Sequence, residues 1–143
     1  MLVSTRGRYA LRVMIDLAEH QGEGYIPLKE IAERQEISEK YLENILKILV
    51  RNKVLIGLRG KGGGYRLAKS PDLYTVGSIL RMTEGSLAPV ACLAEDAERC
   101  SRMASCPTLP MWTKLDKMIT EFFDSITIAD LMSSSLPGDN YVI

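Results

Sequence analysis

The sequence predicts a mainly α-helical fold: a winged helix-turn-helix domain with a small β-hairpin as its wing, followed by a long dimerisation helix. Three observations predict it. Two helical segments of unequal length are joined by a brief turn within residues 27–52. A glycine-rich strand–turn–strand follows them directly. Further on, apolar residues recur at alternating spacings of three and four between positions 112 and 126.

The first helix spans about residues 5–20, where Leu11, Met14, Ile15 and Ala18 follow helical spacing. After the turn QGEGY, Pro27 stands where a helix begins and LKEIAERQ supplies two turns. Ser38 is a natural N-cap for EKYLENILKILVRN, whose Leu42, Ile45, Leu46 and Leu49 share one face. The opposite face carries Glu39, Lys40, Glu43, Asn44, Lys47 and Arg51, which leaves it free to enter a DNA major groove. Glu36 occupies the turn where many DNA-binding examples have glycine. VLIGLR and YRLAKS flank GKGGG, a hairpin with a glycine tip surrounded by Arg59, Lys61 and Arg66. The tip lacks the spacing of a nucleotide phosphate loop, and no helix follows it at once.

TVGSILRMTEG reads as a short helix stopped by Gly85. Trp112, Leu115, Ile119, Phe122 and Ile126, widened by Met111, Met118 and Phe123, form the stripe of a helix starting at Pro107 or Pro110. Such a seam suits a partner helix, and a homodimer is expected. The expected organisation is a DNA-binding domain at 1–85, a cysteine-containing loop at 86–106, the dimerisation helix and a short helix at 107–132, and a flexible tail at 133–143.

The chain has no net charge, yet its charges are segregated. Residues 40–69 hold Lys40, Lys47, Arg51, Lys53, Arg59, Lys61, Arg66 and Lys69 against Glu43 alone, while the segments on either side are net acidic. Phosphate binding needs cations only on the contacting face, so this block points to double-stranded DNA. A composition of 46% hydrophobic and 25% charged residues is that of a globular protein. With no apolar run near 18 residues and no secretory cleavage signature, a cytoplasmic protein without membrane association is expected. The single histidine, His20, offers no base–nucleophile set, so no enzymatic activity is expected.

All three cysteines, Cys92, Cys100 and Cys106, fall in one C-x7-C-x5-C segment. An odd cluster of thiols in a reducing compartment points to metal binding or redox sensing rather than structural disulfides. Thiolates select zinc, copper(I) or iron–sulfur clusters, and Arg99 and Arg102 flank Cys100. A thiol-redox or zinc-responsive repressor is one reading, and an iron–sulfur electron carrier is a more distant one that the basic block argues against.

STRGRYALRVMIDLA, the run IPLKEIAERQEISEKYLENILKILVRNKVLIGLRGKGGGYRLAK and the cysteine loop together resemble the bacterial winged-helix family that contains the iron–sulfur assembly regulator IscR and the nitric-oxide-sensing repressor NsrR. The likeness runs from Ser4 to about Leu131, with GRYAL, ISEKYLE and RGKGGGYRL its most specific parts. It implies a homodimeric transcriptional regulator that binds a palindromic operator. It also implies an iron–sulfur cluster at Cys92, Cys100 and Cys106, 2Fe–2S in preference to 4Fe–4S. The DNA-contact residues it carries over are Ser38, Lys40, Tyr41, Glu43 and Asn44, with Arg59 and the wing glycines Gly62 and Gly63; Lys47 and Lys61 join them on charge and position. In IscR-like members the position of Glu43 is thought to select between operator classes. Two departures stand out. The first cysteine gap is wider than in IscR-like proteins, and Leu109 and Arg8 occupy positions that supply a fourth ligand elsewhere in the family, which leaves that ligand unknown.

Overall fold

The computed structural model describes residues 3–22 and 24–132. Helix α1 (Thr5–Glu19) starts at Ser4, whose Oγ accepts a hydrogen bond from the Gly7 N–H at 3.1 Å. Its inner face, Ala10, Val13, Met14, Leu17 and Ala18, is withdrawn from water. His20 closes the helix, its Nδ1 lying 2.7 Å from the Asp16 carbonyl oxygen, so the lone histidine serves as a cap.

Helix α2 (Leu28–Gln35) follows, with Pro27 as the N-cap residue itself rather than the first helical position. It ends at Glu36, which adopts φ 54° and ψ 46°. This is the left-handed conformation that glycine supplies in other turns of this kind, and here a β-carbon is accommodated at some steric cost. Helix α3 (Glu39–Arg51) is capped by the Ser38 hydroxyl, which accepts from the Tyr41 N–H at 3.2 Å. Leu42, Ile45, Leu46 and Leu49 are buried at helical spacing, as the pattern predicts.

The wing is an antiparallel pair, β1 (Leu55–Leu58) and β2 (Gly64–Leu67), with Leu55 opposite Leu67 and Leu58 opposite Gly64. The segment before α2 adds one residue of a third strand. Ile26 and Tyr65 exchange both backbone hydrogen bonds at 2.9 Å, which fastens the wing to the start of the helix-turn-helix. Gly64 makes this possible. A β-carbon there would collide with the Ile26 carbonyl oxygen, and its φ is 147°. Arg66 does not stand at the tip: it faces Ile56 within the ladder, and its guanidinium lies 4.9 Å from the Tyr25 ring centroid.

Helix α4 (Val76–Glu84) begins at the Thr75 cap and stops at Gly85. A loop with two short 3₁₀ turns, Ala91–Leu93 and Met103–Ser105, carries the cysteines to α5 (Leu109–Asp124), with Pro110 in its first turn. Helix α6 (Ile128–Leu131) opens with a reciprocal capping box between Thr127 and Asp130. Two backbone bonds, Val76 N–H to Ile126 O and Ile128 N–H to Tyr74 O, join the α5–α6 junction to the start of α4. The fully buried Ile128 enters the same core as α1, α2 and α3, so the chain beyond α5 returns to the N-terminal helices. The segment 133–143, expected to be a flexible tail, lies outside the described residues.

Gly64→Ala is expected to lower stability by about 2–3 kcal/mol, because the new methyl meets backbone that cannot move without breaking the Ile26–Tyr65 bridge. A thermal melt followed by circular dichroism, compared with the exposed Gly62→Ala, checks this.

Candidate functional site

The exposed side of α3 presents Lys40, Glu43, Asn44, Lys47 and Arg51 to solvent, with Ser38 exposed at its start. Tyr41 is half-buried, its ring meeting Tyr9 of α1 edge-on at 5.8 Å. Glu43 and Lys47 form an i,i+4 pair at 3.7 Å with both side chains mostly in water. A pair so exposed is worth under about 1 kcal/mol, so both groups can turn to an incoming ligand. Across from α3 the wing tip holds Arg59, Lys61 and Gly62 in solvent. The tip turn is closed by Gly63 N–H to Gly60 O at 2.9 Å, and Gly63 is packed so closely under the Leu58 carbonyl that no β-carbon fits. Helix and wing enclose an open groove lined by Glu43, Lys47, Val50, Arg51, Leu58 and Arg59 among others. Cations on both walls and apolar side chains between them suit a charged polymer that also carries apolar edges.

Sequence reading overlooked the polar cluster that ties the end of α2 to α1. Asp16 sits within the apolar run MIDLA, and its side chain is 1% exposed. Arg34 donates to it twice, Nε to Oδ2 at 3.0 Å and Nη2 to Oδ1 at 2.8 Å, and Gln35 Nε2 donates to Oδ2 at 2.8 Å. Burial disfavours the charge on Asp16, but the hydrogen bonds from Arg34 and Gln35 and the positive charge of Arg34 outweigh it and hold the carboxyl below its usual range. A carboxylate inside an apolar helix face was the available signal, since buried charges are paired.

The cysteine loop is more open. Cys100 is exposed, and Cys92 and Cys106 are partly covered. Cys106 lies just before α5 with its Sγ 3.4 Å from Thr108 Oγ1. Hydrogen bonds from the Thr108 side chain and backbone, and from the Leu109 N–H, lower the pKa of this thiol. Three soft thiols form a donor set of the right chemistry for an iron–sulfur cluster. Their placement does not fit one: among the described residues, no group of three or more His, Cys, Asp or Glu side chains comes together to hold a metal. The acidic residues that offer a fourth ligand, Glu95, Asp96 and Glu98, point into solvent, and Leu109 opens α5.

Helix α5 divides the predicted stripe in two. Ile119 and Ile126, with Phe123, pack on Val76, Leu80 and Leu87 of their own chain. Trp112 is partly covered. Leu115 and Phe122 turn outward with Met111 and Met118, the last two 54% and 58% exposed. The outward seam is therefore Met111, Leu115, Met118 and Phe122, and no residue of α5 is buried. The predicted line had merged this seam with the face that packs on α4.

The profile of the Rrf2 family, described as iron-dependent transcriptional regulators, matches residues 3–134. The chain belongs to the Rrf2 family. Its relatives are transcriptional regulators rather than enzymes. The regulator IscR of Sodalis glossinidius is 37% identical over 94% of this chain and 80% of that protein. CymR of Bacillus subtilis is 40% identical over 93% of this chain and 91% of that protein. The solved structure of CymR, titled as the global cysteine regulator of that organism, superposes with a TM-score of 0.76 over 94% of this chain and 98% of its own. That of T. potens IscR gives 0.70 at 41% identity over 92% and 85%. The Rrf2 match supports the winged-helix expectation and extends over the span of the sequence likeness. This Rrf2 chain is thus a DNA-binding transcriptional regulator, and no helix among its described residues is long and apolar enough to cross a membrane.

In this Rrf2 chain, Asp16→Asn is expected to cost about 1–3 kcal/mol at neutral pH, since it leaves donors of Arg34 and Gln35 without a charged acceptor. Because the folded pKa lies below the ordinary 3.8, the carboxylate's contribution is complete above that pH and disappears as pH falls through the lower folded value. Urea unfolding of both proteins across this range should show their difference closing on acidification.

Proposed function

We propose that the protein is a homodimeric cytoplasmic regulator that reads a palindromic duplex through α3 and the wing, with its output set by chemistry at Cys92, Cys100 and Cys106. The observation that carries the DNA reading is the groove between α3 and the wing, with Lys47 and Arg51 on one wall and Arg59 on the other. In this reading Arg59, Lys61 and Lys47 neutralise phosphates, while Ser38, Lys40, Tyr41, Glu43 and Asn44 at the N-terminal end of α3 face the bases, with Gly62 and Gly63 letting the wing backbone approach the duplex. Glu43 accepts a hydrogen bond from cytosine N4 and repels acceptor edges, which makes it a discriminating rather than an attracting residue. The homodimer is supported by the outward seam of α5, where Met111, Met118 and Phe122 are each more than half exposed.

Two chemistries at the cysteines each have support. The description of the family as iron-dependent and the IscR relatives favour an iron–sulfur cluster, 2Fe–2S in form. The dispersed thiols and the lowered pKa of Cys106 favour reversible thiol chemistry, since a thiolate at a helix start is the more reactive form. The visible spectrum of anaerobically purified protein, with iron and sulfide assayed on the same sample, separates them. Matched iron and sulfide, lost in each single Cys→Ala variant, establishes the cluster. Colourless protein that takes up neither iron nor sulfide on anaerobic reconstitution rules the cluster out, and a zinc assay on the same sample then separates a zinc site from thiol chemistry.

Two further outcomes are expected. Affinity for a duplex selected from a random library should fall by about three orders of magnitude between 50 and 200 mM salt, as measured by fluorescence anisotropy. Met118→Glu should leave the fold intact but place a charge in the seam, and sedimentation should then find a monomer.

A further inference from the structure

We propose that Asp16 is a positioning residue for sequence-specific DNA reading: without touching DNA, its buried carboxylate fixes the angle at which α3 is presented. The inference rests on the DNA-binding reading above and deepens it. Arg34 and Gln35 are the last two residues of α2, and only Glu36 and Ile37 separate them from Ser38, the cap of α3. A rotation at the end of α2 therefore reaches α3 through two residues, one of them held in a left-handed conformation.

Gln35 has no freedom at this junction. Its Nε2 donates to Asp16, its Oε1 accepts from Arg12 Nε at 3.1 Å, and its carbonyl accepts from Arg12 Nη2. Arg12 also lies 4.8 Å from the centroid of Tyr9, whose ring meets Tyr41 in the first turn of α3. Tyr9, Arg12 and Asp16 recur at spacings of three and four, so one strip of α1 grips the end of α2 and the start of α3 together. Hydrophobic contact is non-directional and tolerates small rotations. A forked guanidinium on a carboxylate does not, because both hydrogen bonds must align at once. Base readout makes the same demand on α3, since a bidentate contact to a base edge is lost with a small error of angle.

The inference predicts that weakening the grip lowers discrimination between sequences while leaving general attraction to DNA in place. The probes are a duplex selected from a random library by the wild-type protein and a shuffled duplex of the same composition, with binding read by fluorescence anisotropy across salt concentrations. D16N is expected to bind the shuffled duplex as the wild type does, with the same salt slope, and to lose at least tenfold in the ratio of selected to shuffled affinity. R34K, which keeps the charge but not the fork, is expected to lose part of that ratio. It decides the matter if D16N does not fold, because its partly exposed side chain leaves folding less dependent on the pair. The core variant I79V, compared at equal margin below its melting temperature, is expected to keep the ratio. A ratio within twofold of wild type in the folded Asp16 and Arg34 variants would overturn the inference. An equal loss in I79V would overturn it too, by making the effect one of general stability. A wild-type protein that enriches no sequence from the library would overturn the DNA-binding reading first, an outcome distinct from either of these.

Discussion

The structure depends on the burial of α1. Its inner face meets α2, α3, α4, α6 and β2, so both helices of the helix-turn-helix and one strand of the wing are referenced to this one helix. Val13, Met14 and Leu17 are each at most 1% exposed, and burying such a side chain contributes about 1.5–3 kcal/mol. That energy holds the elements together but does not orient them. Directional contacts come from polar atoms beside the apolar face: Ser4 with Glu84 at one end, and Asp16 with Arg34 and Gln35 further along. Gly7 belongs to the same arrangement, since any larger residue there would strike the Glu84 carboxylate.

The contrast between the molecule's ion pairs follows from solvent. The Glu43–Lys47 and Lys117–Glu121 pairs are largely in water, where side-chain entropy and screening consume most of their attraction. Asp16 is removed from water, so losing its partners would leave a charge with nothing to replace them. The buried carboxylate is satisfied by Arg34 and Gln35 and so draws no cation from the groove or the wing tip, where Lys47, Arg51, Arg59 and Lys61 stay exposed. Segregated charge, rather than net charge, is what the groove requires.

Most helix and strand positions were legible because local signals agreed with the global pattern. Ser38 caps α3 as a serine before an amphipathic run should, Gly85 stops α4, and the glycine tip closes the wing. What stayed hidden is nonlocal. No local pattern around Ile26 announces a strand, since its single bridge to Tyr65 depends on a residue 39 positions away. A spacing of three and four does not say which neighbour a face meets, so the stripe reads as one seam; only the packing of α4 separates Ile119 and Ile126 from Leu115 and Phe122. The cysteines were legible as a group in the chain and are not a group in space, because proximity in an irregular loop places no constraint on where thiols point.

The cysteine loop is fastened at both ends, and the two fastenings differ in kind. Before it, Glu84 accepts from the backbone and hydroxyl of Ser4 at 3.1 and 2.6 Å, while Arg6 Nη2 donates to the Thr83 carbonyl at 2.8 Å. After it, α5 is tied at its far end, through the Arg81–Asp124 fork at 2.9 Å and the backbone bonds joining residues 74–76 to 126–128. The Arg81–Asp124 pair is partly exposed and contributes little alone, whereas the backbone bonds fix position. The near end of α5, by contrast, begins three residues after Cys106 and has no buried residue. On the α4 side the loop leaves a helix held by the burial of Ile79 and Leu80 and, at its end, by a few hydrogen bonds to the start of α1, each worth about 0.5–1.5 kcal/mol. A coupling of about 1–3 kcal/mol is enough to change occupancy of a binding site several-fold or more. The hydrogen bonds from Ser4 and Arg6 to Glu84 and Thr83 are each of comparable size, so on the proposed reading they are where chemistry at the thiols would first be felt by α1.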